Sequence, residues 1–467
     1  MTAFNPAVAQ ARKGLPDPPG PNGHWLFGTT REFKANSLAF LQQLASDHGP
    51  AVRFRFFLKY VGYVFCHPEH NKHILQDNNH NYTKLPHPTF LLLEPLLGNG
   101  LLLNDGDSWL SQRRLMQPVF HRRQIADFGR VMSEATLRLL EAWEQAAAAG
   151  QAVDIDRAMM RLTLEIVGRT LFSMDLTGDA ERLGQTFTDI NHQFAKMTTQ
   201  PFSVYMLRMA FLPSIRRLHH NLGQLNEVVE RIIAERRGHG RPAAGNDLLA
   251  MLMAACDADT GERMTDQQLR DEVMTLLLAG HETTSNALTW TLFLLSEHPD
   301  CLAQAQQELT EVLAGRPPAF ADLPDLPYTR QVLDEALRLY PPAYAIARHA
   351  AGADEVGGYR VPALAAVTLS PYLTHRLPEF WPEPERFDPG RFRPEQVAER
   401  PRYAYIPFGG GPRQCIGKEF ALTEAHLILA TILQRFAPRL APGHPVEVEP
   451  LITLRPRFGL PMFLQPA

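Results

Sequence analysis

Cysteine is scarce in this chain: Cys66, Cys256, Cys301 and Cys415 are the only four among 467 residues, too few and too scattered to staple a fold. A chain without a disulfide framework is expected in a reducing cytoplasm. No run of about 18 apolar residues occurs, so no membrane span is expected. Residues 1–14 also lack the apolar core of a signal peptide. Positive charge is not in excess: a formal net charge of −4 excludes a general nucleic-acid binder. Internal repeats, low-complexity tracts and a glycine-rich dinucleotide fingerprint are all missing. What remains is a globular composition, 45% hydrophobic and 21% charged, in a chain long enough for a large core.

The chain is organised around Phe408-Gly409-Gly410-Gly411-Pro412-Arg413-Gln414-Cys415-Ile416-Gly417. Its glycines allow backbone angles and close approaches that side chains forbid. Cys415 stands where an apolar helix over about 417–436 begins, and a helix N-terminus favours a thiolate over a thiol. One thiolate without a second Cys or His nearby makes neither a zinc nor an iron–sulfur site. It suits a metal that already carries four other ligands, as in haem; read alone, the stretch fits a buried structural cysteine equally well.

The spacing Phe408-x-x-Gly411-x-Arg413-x-Cys415-x-Gly417 closely resembles the haem-ligand signature of the cytochrome P450 family. The resemblance implies haem b (iron protoporphyrin IX), with Cys415 as its proximal thiolate ligand and Arg413 on a propionate. Phe408, Gly409, Ile416, Ala279 and Gly280 would also be cofactor-binding. It also implies a mainly α fold with a small β region, the haem lying between a long distal helix and the cysteine loop. One such domain would cover 1–467, with 1–28 as a proline-rich N-terminal segment. Leu15-Pro-Asp-Pro-Pro-Gly-Pro21 without a preceding anchor points to a bacterial-type, soluble enzyme.

Further stretches fit the same family in order. Asp105 to Ser108 offers caps for a helix in which Trp109 and Arg113, four apart, share a face; relatives use this pair on a propionate. Thr265-Asp-Gln-Gln268 is a capping box for a helix running to Glu297, roughly 48 Å long at 1.5 Å per residue. Its centre, Ala279-Gly280-His281-Glu282-Thr283, sets a carboxylate and a hydroxyl beside a small-residue gap, where a flat group can approach. Read alone, Thr283 back-bonds to the helix and Glu282 turns to solvent. The resemblance instead makes Thr283 the hydrogen-bond partner of dioxygen and Glu282 a proton relay. It implies a buried network of Glu335, Arg338 and Arg386 behind the haem, and Arg348 on the second propionate.

The pairs 51–57 and 60–66 read as a hairpin around Leu58-Lys59, where a turn lysine is solvated or meets a substrate carboxylate. Residues 86–97, interrupted by three prolines, read as an irregular loop over the pocket. Residues 198–213 are a packed connection or, by resemblance, a lid; 237–245 read as a surface linker. Phe90, Leu91, Ala279, Ala343 and Ile452 suggest apolar pocket walls.

The implied activity is O₂-dependent hydroxylation or epoxidation of a small apolar substrate: a fatty acid, terpenoid or steroid. Electrons would come from a separate ferredoxin or flavodoxin with its NAD(P)H-dependent reductase; Arg113, Arg114, Arg122, Arg123, Arg402 and Lys418 either steer that acidic partner or, for most of them equally, form a solvated basic face. The enzyme would be a monomer. Rival readings are a peroxide-using or isomerising haem-thiolate enzyme and a non-catalytic haem sensor; neither needs the Glu282–Thr283 pair.

Overall fold

The computed structural model describes residues 14–56, 60–84, 86–198, 200, 203–207, 209, 211–238, 247–254 and 263–467. Strands β1 (Ala51–Arg55) and β2 (Val61–Phe65) pair antiparallel, Ala51 opposite Phe65. The hairpin is as expected, though its turn residues, Lys59 among them, lie outside the described residues. These strands continue into a five-stranded sheet with β3 (Tyr82–Thr83), β4 (Ile346–Ala350) and β5 (Ala366–Leu369), in the order β1-β2-β5-β4-β3. Gly357 and Gly358, both at positive φ, turn the small hairpin that precedes β5.

Helices make up most of the remainder. Pro88–Leu97 is helix α1, where an irregular loop was expected. The physical reason lies in where its prolines fall. Pro86 precedes the helix and Pro88 occupies its first position, where no N–H is needed; His87 caps it by accepting from the Thr89 N–H at 3.2 Å. Only Pro95 is interior. Helix α2 (Gly106–Met116) follows, then α3 (Arg122–Ala148), α4 (Ile155–Leu171), α5 (Ala180–Thr198) and α6 (Pro213–Gly238). Of the expected connection after α5, the described part includes a short helix, Ser203–Met206. The expected linker lies outside the described residues, except that Arg237 and Gly238 end α6.

Helix α7 (Asp266–Glu297) crosses the molecule with its capping box formed: Gln268 N–H donates to Thr265 Oγ1 at 3.2 Å, and Thr265 N–H to Gln268 Oε1 at 2.8 Å. It is buried on nearly every side, packing on α4, on α8 (Pro327–Leu339) and on α9 (Lys418–Leu433). Helix α9 is shorter than expected, because the chain straightens into a strand from Phe436 that contains Pro438. The antiparallel hairpin of β6 (Val448–Pro450) and β7 (Leu454–Pro456) presents its tip, Leu451-Ile452-Thr453, to the space beneath α7. One apolar cluster extends from Phe90 to Leu464.

Behind the cysteine loop, Glu335 and Arg338 of α8 are fully buried and pair in two parallel bonds of 2.6 and 2.8 Å. Arg338 also donates to the carbonyls of His375, Pro384 and Arg386. Arg386 contributes only that carbonyl. Its side chain is exposed and turns to Glu383 at 3.2 Å, which corrects its expected place in the network. The arginine beside Glu335 is Arg391, at 3.5 Å, carried back to it by the 3-10 turn Pro389–Phe392.

Candidate functional site

Three elements enclose a cavity of about 1790 Å³: the centre of α7, the loop before α9 and the β6–β7 tip. The loop owes its shape to its glycines. Gly409 and Gly411 have φ of +69° and +64°, and a Cβ on Gly411 would lie 1.8 Å from the Leu75 carbonyl oxygen. Held this way, the loop turns back so that Cys415 N–H donates to the Phe408 carbonyl at 3.0 Å, and helix α9 starts three residues later. Cys415 is accessible, but only to the cavity it lines deep in the molecule. Burial therefore pushes its thiol pKa up, while a hydrogen bond from the Gly417 backbone and the charges of Arg113 and Lys418 pull it down. A metal bound to the sulfur would reinforce the second group of effects.

The cavity wall gathers nearly every residue singled out from sequence. Ala279, Gly280, Glu282 and Thr283 of α7 face Phe408, Gly409, Cys415 and Ile416 of the loop. Phe90, Leu91, Ala343 and Ile452 line the rest, with Trp109, Arg113, Arg348 and Arg413 at one side. Arg413 stacks on Trp109, its guanidinium carbon 3.7 Å from the ring centroid; it pairs with Asp105 and donates to the Asn104 carbonyl at 2.7 Å. Arg113 belongs to this wall, not to an outer basic face.

Lys84 joins them, and sequence reasoning missed it. It is buried, and its ammonium donates to the carbonyls of Leu101 and Leu102. A single lysine after a two-residue strand carries no spacing signal; only the fold brings it beside Arg348 and Arg413. Burial pushes its pKa well down, and Arg413, Arg348 and Arg113 push it further against the pull of Asp105. Burial likewise takes Arg348 down to about 10. Three basic side chains, Lys84, Arg348 and Arg413, thus face the carboxylate of Asp105, with Arg113 beside Lys84 and Arg413. That surplus calls for an anion, and the two propionates of a haem suit it. Together with a cavity-facing thiol opposite the small residues Ala279 and Gly280, the donor set fits haem.

Thr283 Oγ1 donates to the Ala279 carbonyl at 2.7 Å, the back-bond that its place in a helix offers. Glu282 does not turn to solvent. It is 1% exposed, and its Oε1 accepts from Asn191 of α5 at 2.5 Å and from Thr453 of the hairpin tip at 2.8 Å. Burial raises its pKa; Thr453, Arg455 and Asn191 oppose that, and Asp156 adds to it.

Residues 18–458 match the model of the family described as "Cytochrome P450". The chain is 38% identical to cyclooctatin synthase of Streptomyces melanosporofaciens, across 97% of this chain and 96% of that protein. It is 36% identical to cyclooctat-9-en-7-ol 5-monooxygenase of the same organism, across 90% and 88%. Among solved structures, the heme domain of cytochrome P450DA superposes with a TM-score of 0.86 at 30% identity, covering 97% of this chain and 98% of that one.

Proposed function

The chain belongs to the cytochrome P450 family as a haem-thiolate monooxygenase, and from that premise we propose that it oxygenates a terpenoid. Two bacterial relatives similar over most of the chain, named cyclooctatin synthase and cyclooctat-9-en-7-ol 5-monooxygenase, support that class over fatty acids and steroids. So does a roomy cavity with apolar walls at Phe90, Leu91, Ala279, Ala343 and Ile452. The observation that carries the reading is Cys415, presented to the same cavity as Thr283. In the net reaction a C–H bond, O₂, two electrons and two protons become C–OH and water. No transmembrane helix is present among the described residues.

Haem b held by Cys415 would supply the O–O cleavage and the oxidation of carbon. The chain's own groups do the rest. Arg113, Arg348, Arg413 and Lys84, which line one side of the cavity, would hold the propionates. Thr283, facing the cavity, directs its hydroxyl toward dioxygen once released from the Ala279 carbonyl. Glu282 passes protons inward, and the apolar wall excludes water and orients the substrate. Electrons come from a ferredoxin or flavodoxin with its NAD(P)H-dependent reductase; the exposed Arg114, Arg122, Arg123 and Arg402 support an acidic partner. The enzyme works as a cytoplasmic monomer.

The test is an optical titration of the purified ferric protein with cyclic terpenoids, fatty acids and steroids. A low- to high-spin shift is expected for terpenoids. A shift confined to fatty acids or steroids would overturn the substrate class.

A further inference from the structure

Glu282 sits in a cluster with more hydrogen-bond acceptors than donors. Asn286 donates from Nδ2 to Thr453 Oγ1 at 3.0 Å, and the Thr453 hydroxyl donates a hydrogen bond to Glu282 Oε1 at 2.8 Å. Asn191 donates to the same Oε1 at 2.5 Å. Three buried acceptor atoms are then left without a partner: Glu282 Oε2, Asn191 Oδ1 and Asn286 Oδ1. Buried acceptors are normally satisfied, and such a surplus marks a place that holds a proton or a water. The four residues come from three separate elements: α5, α7 and the β6–β7 tip.

A second rank of contacts ties those elements together. Arg455 of β7 donates to Thr188 of α5 at 3.0 Å and pairs with Asp156 of α4 at 3.1 Å. His192 of α5 lies 3.5 Å from Glu449 of β6. The charged and titratable groups around the cluster are therefore Asp156, Arg455, His192, Glu449 and the buried His281 next in the chain.

We propose that Asn191 and Thr453 are positioning residues for Glu282, fixing its carboxyl through Oε1 and leaving the proton on Oε2, so that the acid is set for proton delivery only while α5 and the β6–β7 tip are docked on α7. This rests on the relay role given to Glu282 above. Burial of the carboxyl, which favours its protonated form, agrees with the geometry. Both positioning bonds favour the charged form, so removing either should raise the pKa of Glu282 further.

The test uses the holoenzyme and reads the infrared C=O stretch of a protonated carboxyl, assigned by its loss in Glu282→Gln. Thr453→Val and Asn191→Leu are expected to shift that band and to move its disappearance to higher pH. Both should also lower the share of NAD(P)H electrons that reaches product by roughly fivefold, the worth of one hydrogen bond. Thr453→Ser should restore band and coupling alike. An unmoved band in both variants, a Thr453→Ser as impaired as Thr453→Val, or no Glu282 band in the wild type would each overturn the proposal. If Glu282→Gln leaves coupling unchanged, the relay reading of Glu282 fails and the proposal falls with it. Uncoupling by Glu282→Gln alone overturns only the positioning role.

Discussion

The guanidinium carbon of Arg413 lies 3.7 Å from the centroid of the Trp109 ring, joining the loop that presents Cys415 to helix α2. The contact brings two distant stretches of chain to one side of the cavity and fixes one of the basic side chains that face Asp105.

Lys84 is the member of that group with no sequence signal, and it provides a sharp test. Lys84→Met keeps the stem's packing and removes the ammonium. Haem affinity, measured by transfer to apomyoglobin, should fall roughly tenfold or more, as expected for losing a hydrogen bond to a charged group. Unchanged retention would remove Lys84 from the propionate site.

The α8 network gives a contrast between neighbours. Arg338→Leu strands the buried Glu335 carboxylate and should cost about 3–5 kcal/mol, or prevent accumulation of folded holoprotein. Arg386→Ala should change stability by no more than about 0.5 kcal/mol, because its side chain is on the surface. Denaturant melts of both variants check this. A large loss in Arg386→Ala would contradict the reassignment to Arg391.

Thr283→Ala should leave substrate binding intact and divert reducing equivalents from product to hydrogen peroxide. Oxygen uptake, NAD(P)H consumption and product are measured together. Coupling equal to wild type would count against the role given to Thr283.

Stability should also respond to pH through Glu272, buried on α7 with one oxygen accepting from Leu101 N–H at 3.0 Å. Burial raises its pKa from the ordinary 4.5 to about 7. The folded state therefore binds more protons than the unfolded state between these values, so this group's contribution falls as pH rises through that window. Glu272→Gln keeps an acceptor for Leu101 and cannot ionise. Its stability relative to wild type should improve from pH 4.5 to 7 in paired denaturant melts; a constant difference would contradict the raised pKa.

The fold was legible in the sequence where local chemistry dictates it. The capping box at Thr265 and Gln268 marked the start of α7, and the glycines before Cys415 marked a loop that side chains could not follow. Legibility failed where position outweighed residue type. Three prolines suggested a loop at 86–97, yet two of them stand at or before the first helical position. Arg386 and Arg391 both stand in a Pro-x-Arg-Phe stretch, and only the turn at Pro389–Phe392 decides which reaches Glu335. The partners of Glu282 were invisible for another reason: Asn191 and Thr453 lie far from it in the chain, and nothing local hints that they meet.

The central claim is that Cys415 binds haem iron as a thiolate. The most direct test is the carbon monoxide difference spectrum of the dithionite-reduced holoprotein, recorded for wild type and for Cys415→His. The account predicts the long-wavelength Soret band of a thiolate-ligated haem in the wild type and its replacement by an imidazole-type band in the variant. A wild type that retains haem but lacks the thiolate band, or a variant that keeps it, would contradict the account.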